Sequence, residues 1–175
     1  MSDIKQGERA ESKLKAQHQA YRVREMITAE LMSSFGYSEK RLEKHIKQIT
    51  AHIRDDQTRA DTSEKIRQRE EDFSCWFIKE ERSRILKHCQ DISIHIRKAN
   101  TIWPDYWVEF YERRLEWDRA MACCNALQDE LQYLADALPA DKNKYMAIVL
   151  ECEKLFEMIK SLRQSDNRFK KHLKG

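Results

Sequence analysis

The chain has 175 residues, the size of one ordinary domain. Its 3 glycines and 2 prolines leave few sharp turns, which argues against sheet-based folds, and its 41% hydrophobic residues suffice for a core. A net charge of +3 hides a segregation, because residues 101–139 carry 3 basic and 8 acidic side chains between basic flanks. We expect an all-α fold, an antiparallel bundle of about four to five long helices with coiled-coil-like packing.

The first two helices are separated by a predicted break near residue 36. The first helix is predicted to run from Glu8 to Ser34, since Gly36 suits the left-handed position after a helix end and Ser38 suits the N-cap of the next helix. The second helix carries one narrow apolar stripe, which we expect to pack on the first helix or on another copy of the chain. The stripe consists of Leu42, Ile46, Ile49 and Ile53.

Residues 54–63 contain almost nothing apolar and leave two alternatives open. Asp61 and Glu64 have the spacing of a capping box, so either a new helix begins there or the second helix continues as an exposed span. The next segment, of about 35 residues, is predicted to be a buried helix that ends near Asn100, because Pro104 disfavours helical geometry in the residue before it. Its apolar face contains Ile66, Phe73, Phe77, Ile85, Cys89, Ile92 and Ile96, widened by Trp76, Ile78, Leu86 and Ile94.

Two further helices show apolar residues that repeat every seventh position. Pro104 suits the first turn of one helix, Pro139 ends it, and Asp141 suits the cap of the last helix. Short connections make neighbouring helices antiparallel. The repeating rows are Trp117, Cys124, Leu131 and Leu138 in one helix, and Tyr145, Cys152 and Ile159 in the other.

These elements predict a helical hairpin in residues 1–60, an antiparallel three-helix unit in residues 61–164 and a basic tail in residues 165–175. The hairpin either completes the bundle or projects from it. The residues predicted to be nearly fully buried are Phe77, Cys89, Ile92, Leu131, Cys152 and Ile159.

A ridge of cations on the second helix is the strongest surface signal. On a straight helix it lies nearly opposite the apolar stripe, where a row of cations can follow a phosphate backbone. An ordinary solvated helix face is the alternative interpretation, and the C-terminal tail either supplements the ridge or frays. The predicted nucleic-acid-binding residues are Lys40, Arg41, Lys44, Lys47, Arg54, Arg168, Lys170 and Lys171.

Aromatic side chains are concentrated in residues 102–111. Aromatic rings beside cations can stack on bases, and aromatic rings also anchor protein interfaces. Closure of one end of the core is the favoured interpretation, although adjacent rings cannot all point inward. The predicted interface residues are Leu42, Ile46, Ile49, Ile53, Trp103 and Trp107.

Arg82 and His88 carry the one resemblance to an enzyme family. Their spacing resembles the Arg-x₄₋₆-His motif of the HEPN domains, a family of helical-bundle ribonucleases. In that family the arginine and histidine of two protomers meet at a dimer interface and cleave RNA without a metal ion. The resemblance covers residues 82–88 and implies a metal-independent ribonuclease as an alternative function.

No other pattern in the sequence indicates catalysis or a cofactor. The glycines are isolated, so they form no phosphate-binding loop, and no cysteines or histidines have the paired spacing of a structural zinc site. We therefore expect no catalytic residue, no metal and no cofactor.

Location and function are predicted from the same sequence. No stretch is apolar enough to span a membrane, the N-terminus lacks the apolar segment of a secretory signal, and the 5 cysteines follow no regular spacing, which is typical of the reducing cytoplasm. We expect a non-catalytic adaptor or accessory subunit of a larger assembly. It would contact a protein partner or itself, and bind DNA or RNA through its basic helix faces. A pure protein–protein adaptor or oligomeric scaffold is the alternative.

Overall fold

A computed structural model describes residues 15–32, 39–137 and 142–175. Within these ranges the chain is all-α, as predicted, and no strand is present apart from an isolated bridge between Tyr106 and Lys174. None of the described helices is both long and apolar enough to cross a bilayer. The helices are α1 (Lys15–Met32), α2 (Glu39–Thr50), α3 (Asp56–Thr101), α4 (Trp107–Ala137), α5 (Lys142–Ser165) and a C-terminal 3₁₀ helix (Asp166–Lys171).

Residues 39–101 contain two helices separated by a turn, so the second helix does not continue as an exposed span. The alternative of a new helix that starts at Asp61 is not observed either, because α3 already begins at Asp56, where the carboxylate of Asp55 accepts a hydrogen bond from the Thr58 amide at 2.7 Å. Asp61 lies inside α3 and accepts a hydrogen bond from the Gln57 side chain. With its earlier start, α3 has 46 residues and is longer than predicted.

The predicted breaks at residues 35–38 and 138–141 lie outside the described residues, as do the outermost predicted residues of the first helix, Glu8 and Ser34. Between those breaks, α3 packs on α4, and α4 packs on α5. Helix α1 packs on both α3 and α5, so these four helices form a ring.

Two contacts of α1 fix its direction in this ring. The Tyr21 hydroxyl accepts a hydrogen bond from Arg97 on α3, and the Gln19 amide donates to Glu151 on α5. Farther along α1, Arg24 and Glu30 lie near Cys89 and Tyr145, so both partner helices run antiparallel to it. The first helix therefore completes a four-helix antiparallel bundle, whereas α2 lies outside it and packs on α3.

The core of the bundle is filled by the predicted heptad rows. All six residues predicted to be nearly fully buried have at most 4% of their surface exposed, which confirms the register of α3, α4 and α5. The predicted widening of the α3 face is wrong for Trp76 and Ile94, because both side chains are exposed. Leu138 lies outside the described residues, and the side chains of Phe73 and Ile78 are not described.

Candidate nucleic-acid interface

The connection between α3 and α4 closes one end of the bundle. The carboxylate of Glu109 accepts hydrogen bonds from the backbone amides of Asp105 and Tyr106, at 2.8 and 3.1 Å, and so satisfies two amides at the start of α4. The prediction that Pro104 occupies the first helical turn is wrong, since α4 begins at Trp107. Residues 102–106 therefore present their side chains at the end of the bundle from an irregular, hydrogen-bonded segment.

The C-terminal tail docks against this connection. Asp166 is fully buried, and its Oδ2 accepts hydrogen bonds from Arg113 Nε and Trp117 Nε1, each at 2.7 Å. The same arginine donates through Nη1 to the carbonyl oxygens of Ala99 and Ile102, at 2.6 and 2.7 Å. A single buried guanidinium thus joins the end of α3, the start of α4 and the 3₁₀ helix. The C-terminal tail is therefore folded against the bundle and is not frayed, which was one of the two alternatives left open by the sequence.

Further contacts of the tail extend along the connection. Phe169 is buried and packs edge-to-face on Trp103, with ring centroids 5.1 Å apart. The backbone amide of Lys174 donates to the carbonyl oxygen of Asp105 at 3.0 Å. The tail is consequently held at both its start and its end.

This docking brings exposed aromatic rings and exposed cations onto one surface, which we call the end patch. The Lys174 ammonium lies 5.7 Å from the ring centre of Tyr106, and the Lys170 ammonium lies 5.9 Å from that of Phe110. Arg168 covers the Phe169 ring at 4.9 Å. The end patch consists of the exposed residues Trp103, Tyr106, Tyr111, Arg168, Lys170 and Lys174.

The cations of the end patch are not engaged in ion pairs within the described residues. Within the described part of the chain, no acidic side chain forms an ion pair with Arg168, Lys170, Lys171 or Lys174. The carboxylate of Glu109, in the first turn of α4, accepts hydrogen bonds from the backbone amides of Asp105 and Tyr106 instead.

Trp107 packs against the aromatic rings next to the end patch. Its ring is only partly exposed and lies 5.7 Å from that of Phe110 and 5.8 Å from that of Tyr111. Among the two predicted tryptophans, only Trp103 is strongly exposed, at 69%. The structure therefore joins two sets of predicted residues, the aromatic segment and the tail cations, that are some sixty positions apart.

The predicted ridge on α2 is shorter than expected. Lys40, Lys44 and Lys47 are exposed and form no ion pair within the described residues, but Arg54 lies in the turn after the helix instead of on it. The straight helix assumed through residue 54 is therefore wrong, and the three lysines span about 10 Å. The structure does not describe the side chain of Arg41.

The apolar stripe on α2 is partly covered within the chain. Leu42 and Ile46 are buried, Ile53 is partly exposed and Ile49 is 40% exposed. Their helix packs on α3, and the described residues show no comparable packing on α1. The predicted contact with the first helix is therefore replaced by one with α3, because α1 fills the bundle. Contact with another copy stays a prediction.

The two residues of the HEPN-like motif lie on α3. Arg82 and His88 are both partly buried, and six residues on a helix place them about 120° apart around its axis. They do not share one face of the helix. A ribonuclease activity stays an alternative prediction.

The cysteines of the core behave as small hydrophobic residues. Cys89, Cys124 and Cys152 are buried on three different helices, and the Cys152 thiol donates to the Cys124 carbonyl oxygen at 3.6 Å. Burial raises the pKa of the Cys89 thiol to about 12, so the thiolate needed for metal binding is disfavoured. Across the described ranges, no group of three or more His, Cys, Asp or Glu could hold a metal ion.

Comparison with known proteins leaves the site to be interpreted from its own chemistry. The chain matches no protein-family model, no curated protein and no solved structure.

Sequence reasoning missed the residues that build the end patch, above all Arg113 and Asp166. One signal was present, because Arg113 lies on the same helical row as Phe110, Trp117 and Ala120, which are all buried. An arginine within such a row requires a buried acceptor. The sequence does not indicate which acceptor that is.

Proposed function

We propose that the protein is a non-catalytic accessory subunit that binds single-stranded nucleic acid through the end patch. The observation that carries this proposal is the exposure of the Trp103, Tyr106 and Tyr111 rings where the basic tail docks, with the Lys174 ammonium 5.7 Å from the centre of the Tyr106 ring. Large exposed aromatic side chains grouped in this way are unusual on a surface that contacts only water.

The chemistry of single-stranded nucleic acid fits this surface. Unpaired bases offer flat faces to aromatic rings, and each such stack contributes about 1–3 kcal/mol. The rings of Trp103 and Tyr111 are exposed and can stack on bases. Lys170 and Lys174 lie near the rings of Phe110 and Tyr106 and can neutralise phosphates. A duplex hides its base faces, so we expect a preference for single strands and little dependence on sequence.

Rigidity of the surface adds to the proposed affinity. The Arg113–Asp166 pair fixes the tail against the α3–α4 connection before any ligand arrives. A preorganised surface loses less conformational entropy on binding.

The lysines of α2 provide a second, weaker contact in this proposal. Lys40, Lys44 and Lys47 are exposed and form no ion pair with any described residue, which suits a sequence-independent contact with phosphates. The buried free cysteines Cys89, Cys124 and Cys152 suit a cytoplasmic setting, because reduced thiols persist there.

Fluorescence anisotropy with labelled oligo(dT) and oligo(U), and with a duplex of equal length, tests the proposal. Trp103→Ala together with Tyr111→Ala should weaken single-strand binding by about 2–6 kcal/mol if each ring stacks on one base. Trp76→Ala is the matched control, since Trp76 is also a strongly exposed tryptophan, at 64%, but lies on the middle of α3. This control should bind like the unaltered protein.

A salt titration distinguishes the two basic regions. Lys170→Glu with Lys174→Glu should flatten the dependence of affinity on salt by about 0.7 per lost phosphate contact. The triple change Lys40→Glu, Lys44→Glu and Lys47→Glu should have a smaller effect on the affinity. If the triple change abolishes binding and the ring variants bind normally, the interface lies on α2. If neither the unaltered protein nor any of these variants binds DNA or RNA, the protein–protein adaptor becomes the favoured function.

The ribonuclease alternative is decided in the same samples. We expect the oligo(U) probe to remain intact during incubation with the unaltered protein. Cleavage that disappears in His88→Ala, with unchanged melting, would establish the HEPN-like activity and remove the non-catalytic description.

A further inference from the structure

An open groove on the side of the bundle has the chemistry of a second binding site. It has a volume of about 800 Å³, lies over the outer face of α3 and is bounded by α1 and α4. We call it the α3 groove. Its apolar surface includes the exposed side chains Tyr21, Ile94 and Leu115, one from each helix. No residue of the end patch lines it. Its volume lies in the range typical of sites for small organic molecules, about 300–1,000 Å³.

The charged residues of the α3 groove are mostly basic. Arg24, Arg97, Lys98 and Arg119 line it, against two acids, Glu112 and Glu116. Glu116 is already compensated, because it pairs with Arg119 at 2.5 Å and with His95 at 2.6 Å. Within the described residues, Arg24 and Lys98 form no ion pair. The groove therefore combines an apolar surface with excess positive charge.

The alignment of the helices places the lining residues along the groove. Arg97 on α3 contacts Tyr21 on α1, and His95 on α3 contacts Glu116 on α4. These two pairs fix how α1 and α4, which both run antiparallel to α3, align with it. One turn farther toward Gln90, α1 contributes Arg24 and α4 contributes Arg119. At the opposite end, α4 contributes the exposed acid Glu112 beside Thr101. The two ends of the groove are separated by about 16 Å along α3.

We propose that the α3 groove binds a single-chain anionic amphiphile, a long alkyl or acyl chain that ends in a carboxylate or phosphate. The chain would lie across Ile94 and Leu115, where burial of methylene groups stabilises the complex. The anionic head would lie near Arg24 and Arg119, which can donate charge-assisted hydrogen bonds to it. This proposal does not depend on nucleic-acid binding.

Isothermal titration with dodecanoate, kept below its micelle-forming concentration, tests the site in the full chain. Dodecanoate and dodecyl phosphate should bind, whereas dodecyltrimethylammonium, with the same chain and opposite charge, should not. Arg24→Gln with Arg119→Gln should weaken dodecanoate binding by about tenfold or more. Leu115→Gln should weaken it by about tenfold through lost apolar contact.

Matched controls separate the groove from general surface effects. Leu150 on α5 is 49% exposed, nearly the same as Leu115 at 48%, but lies outside the groove, so Leu150→Gln should leave the affinity within about twofold. Melting curves establish that each variant is folded, and Arg24→Gln alone keeps the Arg119–Glu116 pair intact if the double variant does not fold.

Three results would overturn the proposal. The first is equal affinity for the cationic and anionic amphiphiles, and the second is equal loss of affinity in Leu115→Gln and Leu150→Gln. The third is binding to anionic vesicles without any binding of monomeric dodecanoate, which would assign the surface to a membrane.

Discussion

Replacement of Asp166 by alanine should destabilise the bundle strongly, because it leaves the Arg113 guanidinium buried without its charge partner. The Arg113 and Asp166 side chains are only 7% and 1% exposed, and within the described residues Asp166 is the carboxylate that pairs with this arginine. Breaking a buried ion pair from one side costs about 3–5 kcal/mol. The Trp117 indole loses its acceptor in the same variant, which places the expected cost at the upper end of that range.

The effect is large enough to measure by thermal and chemical unfolding. Domains of this size lose about 2–4 °C in melting temperature per kcal/mol, so a cost of about 5 kcal/mol should lower the melting temperature of Asp166→Ala by about 10–20 °C. Urea unfolding followed by circular dichroism should show a lower midpoint with an unchanged slope, because the bundle itself stays compact.

Two further variants make this prediction specific. Asp118→Ala removes an acid that pairs with Arg163 at the surface, where its side chain is 42% exposed, and should cost about 1 kcal/mol or less. Arg113→Met combined with Asp166→Leu removes both charges and should recover much of the loss, as apolar replacements of buried pairs often do. The reasoning is refuted if Asp166→Ala and Asp118→Ala unfold at the same urea concentration.

Three other predictions concern the core, the response to acid and self-association. Leu131→Ala should cost about 2–5 kcal/mol in urea unfolding, because Leu131 is buried in the bundle core, and a cost below 1 kcal/mol would contradict that burial. Burial opposes ionisation of Glu116, but hydrogen bonds with His95 and Arg119 outweigh it and hold the pKa of this carboxyl below the ordinary 4.5. The contribution of Glu116 to stability is therefore complete above pH 4.5 and is lost as the pH falls through its lowered pKa. Between pH 5 and pH 3, Glu116→Gln should therefore lose less unfolding free energy than the unaltered protein. Ile49→Asp should reduce the mass measured by light scattering if the exposed end of the α2 stripe contacts a second copy, and an unaltered protein that is already monomeric would exclude such a contact.

The regular part of the fold could be predicted because burial imposes a period on the sequence. Cys124 and Leu131 lie seven positions apart and are both buried, as are Cys152 and Ile159 on the facing helix. The start of α3 could not be located from the sequence, for an equally physical reason. Any Asp can cap a helix, so the spacing of Asp61 and Glu64 does not distinguish a true cap from two side chains inside a helix.

Trp76 was assigned wrongly because it lies beside a buried position. The neighbouring Phe77 is in the core, and adjacent residues on a helix point about 100° apart, so both cannot be buried against the same neighbours. Composition alone predicts a buried tryptophan, whereas packing of α4 on one side of α3 leaves Trp76 exposed.

The end patch could not be predicted from the sequence alone, because it joins two segments that are far apart in the chain. Its aromatic rings come from residues 103–111 and its cations from residues 168–174, and each segment alone has an ordinary interpretation as core closure or a solvated tail. The two segments are joined by the hydrogen bond between Arg113 and Asp166. Asp166 is the only acidic residue among the last 11 residues of the chain. A basic tail with one acid at its start is consistent with docking, but the partner of that acid cannot be identified without the fold.

The same Asp166→Ala variant also distinguishes two explanations of nucleic-acid affinity. If affinity depends on net charge alone, removal of one negative charge near the end patch should strengthen binding. If affinity depends on the fixed arrangement of rings and cations, loss of the Arg113–Asp166 bond should weaken binding, although Asp166 itself is buried and cannot touch the ligand. We expect weaker binding, measured by anisotropy at a temperature well below the melting of the variant. Stronger binding in a folded Asp166→Ala protein would show that the end patch acts only through its charge.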